Sequence, residues 1–102
     1  MKIFNLARGK GKTMRMLYAS EFSNAPILCH SEQNKKYIID MAKWFDVNIP
    51  EPITVFDVIK NNIRGKHIND IVVDDIDYVL KQLLSTYGLN MIGGTITTDK
   101  GE

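Results

Sequence analysis

The sequence predicts a small three-layer α/β domain, and three observations carry that expectation. Brief apolar runs at residues 2–6, 27–29, 53–56 and 71–73 alternate with stretches whose apolar residues recur at helical spacing. A looser alternation over residues 91–98, with two glycines inside, reads as a last strand. The chain is 102 residues long with 44% hydrophobic and 25% charged residues, an ordinary balance for one folded domain over 1–102. Five short strands interrupted by four helices imply a mostly parallel sheet covered by helices on both faces.

The elements follow in order. Behind the first run, Met14, Leu17, Tyr18 and Phe22 share a helical face, predicting a helix from about Lys12 to Phe22. Asn24-Ala25-Pro26 breaks it before the strand at 27–29. Ser31 is placed to cap a second helix whose apolar face is Tyr37, Ile38, Met41, Ala42 and Phe45. Pro50 and Pro52 fence off a loop, and Ile53-Thr54-Val55-Phe56 is β-branched and aromatic, hence strand-like. Asp57 is expected to cap a short helix ending near Gly65. Ile71-Val72-Val73 reads as a buried strand. After it, Ile76, Val79, Leu80, Leu83, Leu84 and Tyr87 form the strongest amphipathic pattern, closed by Gly88 at the C′ position.

Charge and cysteine content narrow the function classes. Thirteen basic and twelve acidic residues give a net charge of +1, so no global field draws the chain to nucleic acid or an anionic membrane. DNA contact would need a local stripe drawn from Arg8, Lys10, Arg15, Lys35, Lys36, Lys60, Arg64 and Lys66, which solvated helix faces explain more cheaply. The single Cys29 makes no internal disulfide. No apolar run approaches the roughly 20 residues of a membrane span, and Asn5 and Arg8 interrupt the first apolar stretch, unlike a signal peptide. A cytoplasmic protein is expected.

Two motifs carry chemistry. Arg8-Gly9-Lys10-Gly11-Lys12-Thr13 lies between a strand and a helix and ends in the Gly-Lys-Thr of a phosphate-binding loop. Glycines at 9 and 11 let backbone amides close around phosphates, Lys12 reaches phosphate oxygens, and the Thr13 hydroxyl can ligate Mg2+. The full pattern has a further glycine where this chain has Leu6. The second motif, Ile71-Val72-Val73-Asp74-Asp75, sets two carboxylates at the C-terminal end of a strand, the edge where open parallel sheets bind ligands. Asp74 is predicted to hold Mg2+ and Asp75 to act as general base, although either could instead cap the following helix.

Together, Ala7-Arg8-Gly9-Lys10-Gly11-Lys12-Thr13 and Ile71-Val72-Val73-Asp74-Asp75 resemble the ATPase core of helicases and phage DNA-packaging terminases. The chain as a whole resembles small P-loop proteins of phages and prophages of Gram-positive bacteria. The resemblance implies a RecA-like P-loop NTPase fold with a minimal five-stranded sheet, the final strand lying between the phosphate-loop strand and the acidic-pair strand. It further implies that Thr95, Thr97 or Thr98 senses the terminal phosphate. Where helicases carry glutamate at the second acidic position, this chain has Asp75.

The remaining chemistry-bearing residues read as structural. His30 and His67 lack partners at metal-ligand spacing, Cys29 reads as a small core residue, Trp44 as packing, and the methionines as core filler. Arg8 and Arg64 are the candidate cations for charge developing on a terminal phosphate.

The expected function is ATP binding with Mg2+ and slow hydrolysis, serving phage or mobile-element DNA metabolism, with a protein partner or self-assembly completing the site. The alternatives are an inert P-loop-derived interaction module, for example against a host factor, and a small nucleotide kinase.

Overall fold

A computed structural model of the chain describes residues 11–60 and 68–95. In them the order is α1 (Lys12–Ser23), β1 (Ile27–Cys29), α2 (Glu32–Trp44), β2 (Ile53–Thr54), α3 (Val55–Ile59), β3 (Val72–Val73) and α4 (Ile76–Thr86). The strands form a three-stranded parallel sheet in the order β2-β1-β3. Leu28 lies opposite Ile53 on one side and Val73 on the other. Parallel neighbours cannot be joined by a tight hairpin, which is why a helix intervenes between successive strands. The chain is thus a small α/β protein. The predicted strand at 2–6 and the end of the one at 91–98 lie outside the described residues, and 91–95 are not in a strand.

The core forms where α1 and α2 meet the sheet and each other. Met16, Leu17, Ile27, Cys29, Ile38, Ala42 and Val47 are buried together, with Met14, Met41, Ile49 and Val72 packed around them. Burial of each of the larger side chains, such as Leu17, Ile27 and Ile38, contributes about 1.5–3 kcal/mol. Cys29 is fully buried as expected, and its thiol donates to the Ile53 carbonyl at 3.4 Å. Burial pushes its pKa to about 11, so it is a packing residue and no nucleophile.

Helix ends were largely legible from sequence. The Ser31 hydroxyl accepts the Asn34 N–H at 3.1 Å and caps α2. At the other end, Val47 N–H donates to Ala42 and Asp46 N–H to Lys43, a Schellman closure with Asp46 at φ 56. The same closure ends α4, with Leu89 donating to Leu84, Gly88 donating to Ser85 and Gly88 at φ 77.

Four expectations are corrected. The run 53–56 is strand only at Ile53–Thr54, because Thr54 and Asp57 form a capping box that starts α3 at Val55. Asp57 is therefore the reciprocal arm of that box, and the N-cap is Thr54. On α1 the buried stripe is Met16, Leu17 and Ser20. Small Ser20 allows close approach, donating to the Ala25 carbonyl at 2.6 Å, while Tyr18 and Phe22 face solvent. Trp44, at the end of α2, is also exposed and does not pack. Finally, Ile71 is exposed and Val72 and Val73 are half-buried, since β3 pairs with β1 alone among the described residues.

Candidate functional site

Parallel strands deliver their C-terminal ends, and the helices that follow, to one edge of the sheet. At that edge β1 leads into His30 and Ser31, and β3 leads into Asp74 and Asp75. The backbone pins Asp74 there, its N–H donating to the Leu28 carbonyl at 3.0 Å as a continuation of the sheet ladder. The N-terminus of α1 comes to the same place. A cleft of about 680 Å³ opens between them, lined at one end by Gly11, Lys12, Thr13, Asn34, Asp74 and Asp75. Its volume is in the range of small-molecule sites.

The α1 terminus has Gly11 as its N-cap, with φ 80, a conformation that disfavours any residue with a Cβ. Gly11 brings no side chain and so makes no side-chain cap to the first turn of α1. The helix dipole adds a partial positive charge at the same point.

Opposite this terminus, Asp75 is the N-cap of α4 yet makes no capping hydrogen bond. Its backbone is left-handed, φ 52, which costs a residue with a Cβ of order 1 kcal/mol and is tolerated best by Asn and Asp. The carboxylate instead pairs with the Lys12 ammonium across the cleft. The capping alternative for Asp75 is thereby set aside.

Asp74 is 8% exposed. Burial raises its pKa above the usual carboxyl value, and the neighbouring Asp75 charge adds to the rise. The Asn34 amide, donating at 3.3 Å, and the Lys12 and His30 charges act in the opposite direction. A half-desolvated carboxylate with one amide partner retains oxygen lone pairs for a further ligand. Among the described residues no three carboxylate, imidazole or thiol groups converge as a metal cage. The donors at hand are the Asp74 carboxylate and the Thr13 hydroxyl, hard oxygens that suit Mg2+ completed by water and phosphate.

Of the predicted site residues, Gly11, Lys12, Thr13, Asp74 and Asp75 meet in this cleft. Arg8, Gly9, Lys10 and Arg64 lie outside the described residues, as do Thr97 and Thr98. Thr95 is exposed and does not line the cleft. Sequence reasoning missed Asn34, which touches Asp74, and the pair His30 and Tyr78, whose rings stand 5.7 Å apart on the cleft wall. The rule that found Asp74 would have found His30, since each directly follows a parallel strand. A second cavity, about 450 Å³, opens beside the loops that precede β1 and β3 and touches none of these residues.

Comparison with protein-family models, with curated proteins and with solved structures finds no match to this chain. No helix among the described residues is long and apolar enough to cross a membrane.

Proposed function

We propose that the chain binds a nucleoside triphosphate, ATP, with Mg2+, in the cleft at the C-terminal edge of the sheet. The observation that carries this reading is the Lys12–Asp75 pair: two motifs with 63 positions between those residues meet at one point. A flexible basic turn and an idle helix cap would have no reason to do so. Phosphates lie over the first amides of α1, with the Lys12 ammonium passing from Asp75 to a phosphate oxygen. Thr13 and Asp74 hold Mg2+, which supplies neutralisation of phosphate charge. Asp75, released from the ion pair, is then free to accept a proton from an attacking water.

The finer fold reading is a RecA-like P-loop domain of five strands. It is supported by the placing of the acidic-pair strand β3 beside β1, with no strand on its other side among the described residues. The P-loop resemblance implies a strand there, between β3 and the phosphate-loop strand, and the segment 91–98 expected to supply it is not in a strand over 91–95. The same resemblance carries the proposed setting in phage or mobile-element DNA metabolism.

Hydrolysis is proposed to be slow. The sequence offers only Arg8 and Arg64 as cations for the transferring phosphoryl and the shorter Asp75 where helicases carry glutamate, and lack of a well-placed cation costs on the order of 10³ to 10⁵ in rate. A partner chain, or a second copy, is proposed to supply it.

Calorimetric titration with MgATP and MgADP tests the reading. Lys12→Ala is expected to weaken MgATP binding by about 1.5–3 kcal/mol, the worth of a charge-assisted hydrogen bond. Because this change also strands the Asp75 carboxylate, Lys12→Ala/Asp75→Asn is the matched control. Equal affinity in wild type and both variants would remove the loop as the site. A second reading, an interaction module without nucleotide, is favoured by Phe22 and Trp44, which stand 95% and 81% exposed. Failure of the wild type to bind either nucleotide selects it.

A further inference from the structure

The cleft has two chemically different ends. Beyond the polar end, Asn34, Tyr37, Met41 and Phe45 of α2 line it at helical spacing, with Met14 of α1 alongside. From Asn34 to Phe45 this stripe runs about 16 Å, eleven residues at roughly 1.5 Å each. Tyr37 and Phe45 are 50% and 40% exposed, and among the described residues no aromatic ring packs on either. Past Asn34 the stripe offers thioether, phenyl and phenol groups, with no amide or carboxylate.

We propose that this stripe takes the base of the bound nucleotide, stacking it on Tyr37, the ring nearer Asn34, with Met41 and Phe45 continuing the apolar surface. The inference rests on the phosphate reading above and extends it to the rest of the ligand. A nucleotide is anionic at one end and flat and apolar at the other, and the cleft matches both ends in one continuous space. Base–aromatic stacking works for any base because each has a π-face. Past Asn34 the stripe itself carries one polar group, the Tyr37 hydroxyl, so stacking there reads ring area more than hydrogen-bonding pattern, while His30 and Tyr78 line the same cleft. ATP and GTP are therefore both ligands, and discrimination between them is weak.

The test compares MgATP with magnesium tripolyphosphate, which has the phosphates and no base, on wild type, Tyr37→Ala, Phe45→Ala, Tyr37→Phe and Lys12→Ala. Tyr37→Ala is expected to weaken ATP by about 5- to 150-fold, the range for loss of one stacking ring, Phe45→Ala to weaken it less, and both to leave tripolyphosphate affinity unchanged. Tyr37→Phe retains the ring and the affinity. Wild type binding tripolyphosphate as tightly as ATP overturns the base site, and needs no variant to fold. So does ATP affinity undiminished in the two alanine variants while Lys12→Ala loses it, a result that leaves the phosphate site standing. Wild type binding neither ligand overturns both proposals.

Discussion

Two turns leave the same edge of the sheet, and they are built in opposite ways. At the end of β1, Ser31 caps α2 from an extended backbone, φ −155, and its hydroxyl satisfies the Asn34 N–H. At the end of β3, Asp75 holds the same N-cap position in a left-handed backbone, φ 52; its carbonyl accepts the Val79 N–H at 3.0 Å, but its side chain makes no capping hydrogen bond. Its carboxylate goes to Lys12. Beside it Asp74 is buried at a cost that burial alone would argue against. The first turn resolves every local demand; the second leaves a helix end uncapped, a backbone strained and a charge desolvated. The turn after β2 is also satisfied locally, by the Thr54–Asp57 capping box, so the strain is gathered at the turn after β3, which is what makes it the candidate site.

Substitutions break the comparison in a definite order. The largest effect belongs to Asp74→Asn, which keeps shape and removes the charge. Its affinity for MgATP is expected to fall about 10- to 100-fold, with the Mg2+ dependence of binding lost. Stability should move the other way. The raised pKa means the native state holds this proton more tightly than the unfolded chain does, so wild-type stability falls as pH rises from the ordinary carboxyl value near 3.8 through the raised one. Asp74→Asn is therefore more stable than wild type at neutral pH, and the gap closes at acid pH below both values. Thermal melts from acid to neutral pH check this, and a gap that stayed constant would place the origin elsewhere.

Next comes Ser31→Ala at the other turn, expected to cost about 1 kcal/mol of stability in urea unfolding and to leave nucleotide affinity within about twofold. A large loss of affinity would show that this turn also belongs to the site. The smallest effect is Asp75→Asn. Asparagine tolerates the left-handed backbone, no cap is lost, and the partly exposed pair with Lys12 is worth about 0.5 kcal/mol. An unfolding change well above the Ser31→Ala value would mean that Asp75 is structural after all.

The legible part of this molecule was local. Ser31 announced its helix because a hydroxyl before an amphipathic run can satisfy its own first turn. Gly88 announced the end of α4 because a left-handed C′ residue is nearly free for glycine. Thr54 was misread for the opposite reason. Ile53-Thr54-Val55-Phe56 has strand propensity throughout, and only the reciprocal bonds with Asp57 convert its second half to helix. The burial of Ser20 in place of Phe22 was equally hidden, since the face a helix buries depends on what it meets.

By itself the sequence determined the α/β class, the N-cap of α2 and the C-terminal end of α4, and the two motifs with their five described residues, because propensity, capping and motif spacing act within a few positions along the chain. Tertiary structure alone decided that Lys12 meets Asp75, that Asn34 touches Asp74, and that Tyr37 and Phe45 line the same cleft. Those contacts join residues up to 63 positions apart, and no local rule encodes them. They follow from the parallel pairing of β1 with β3, which brings separate strand ends to one edge.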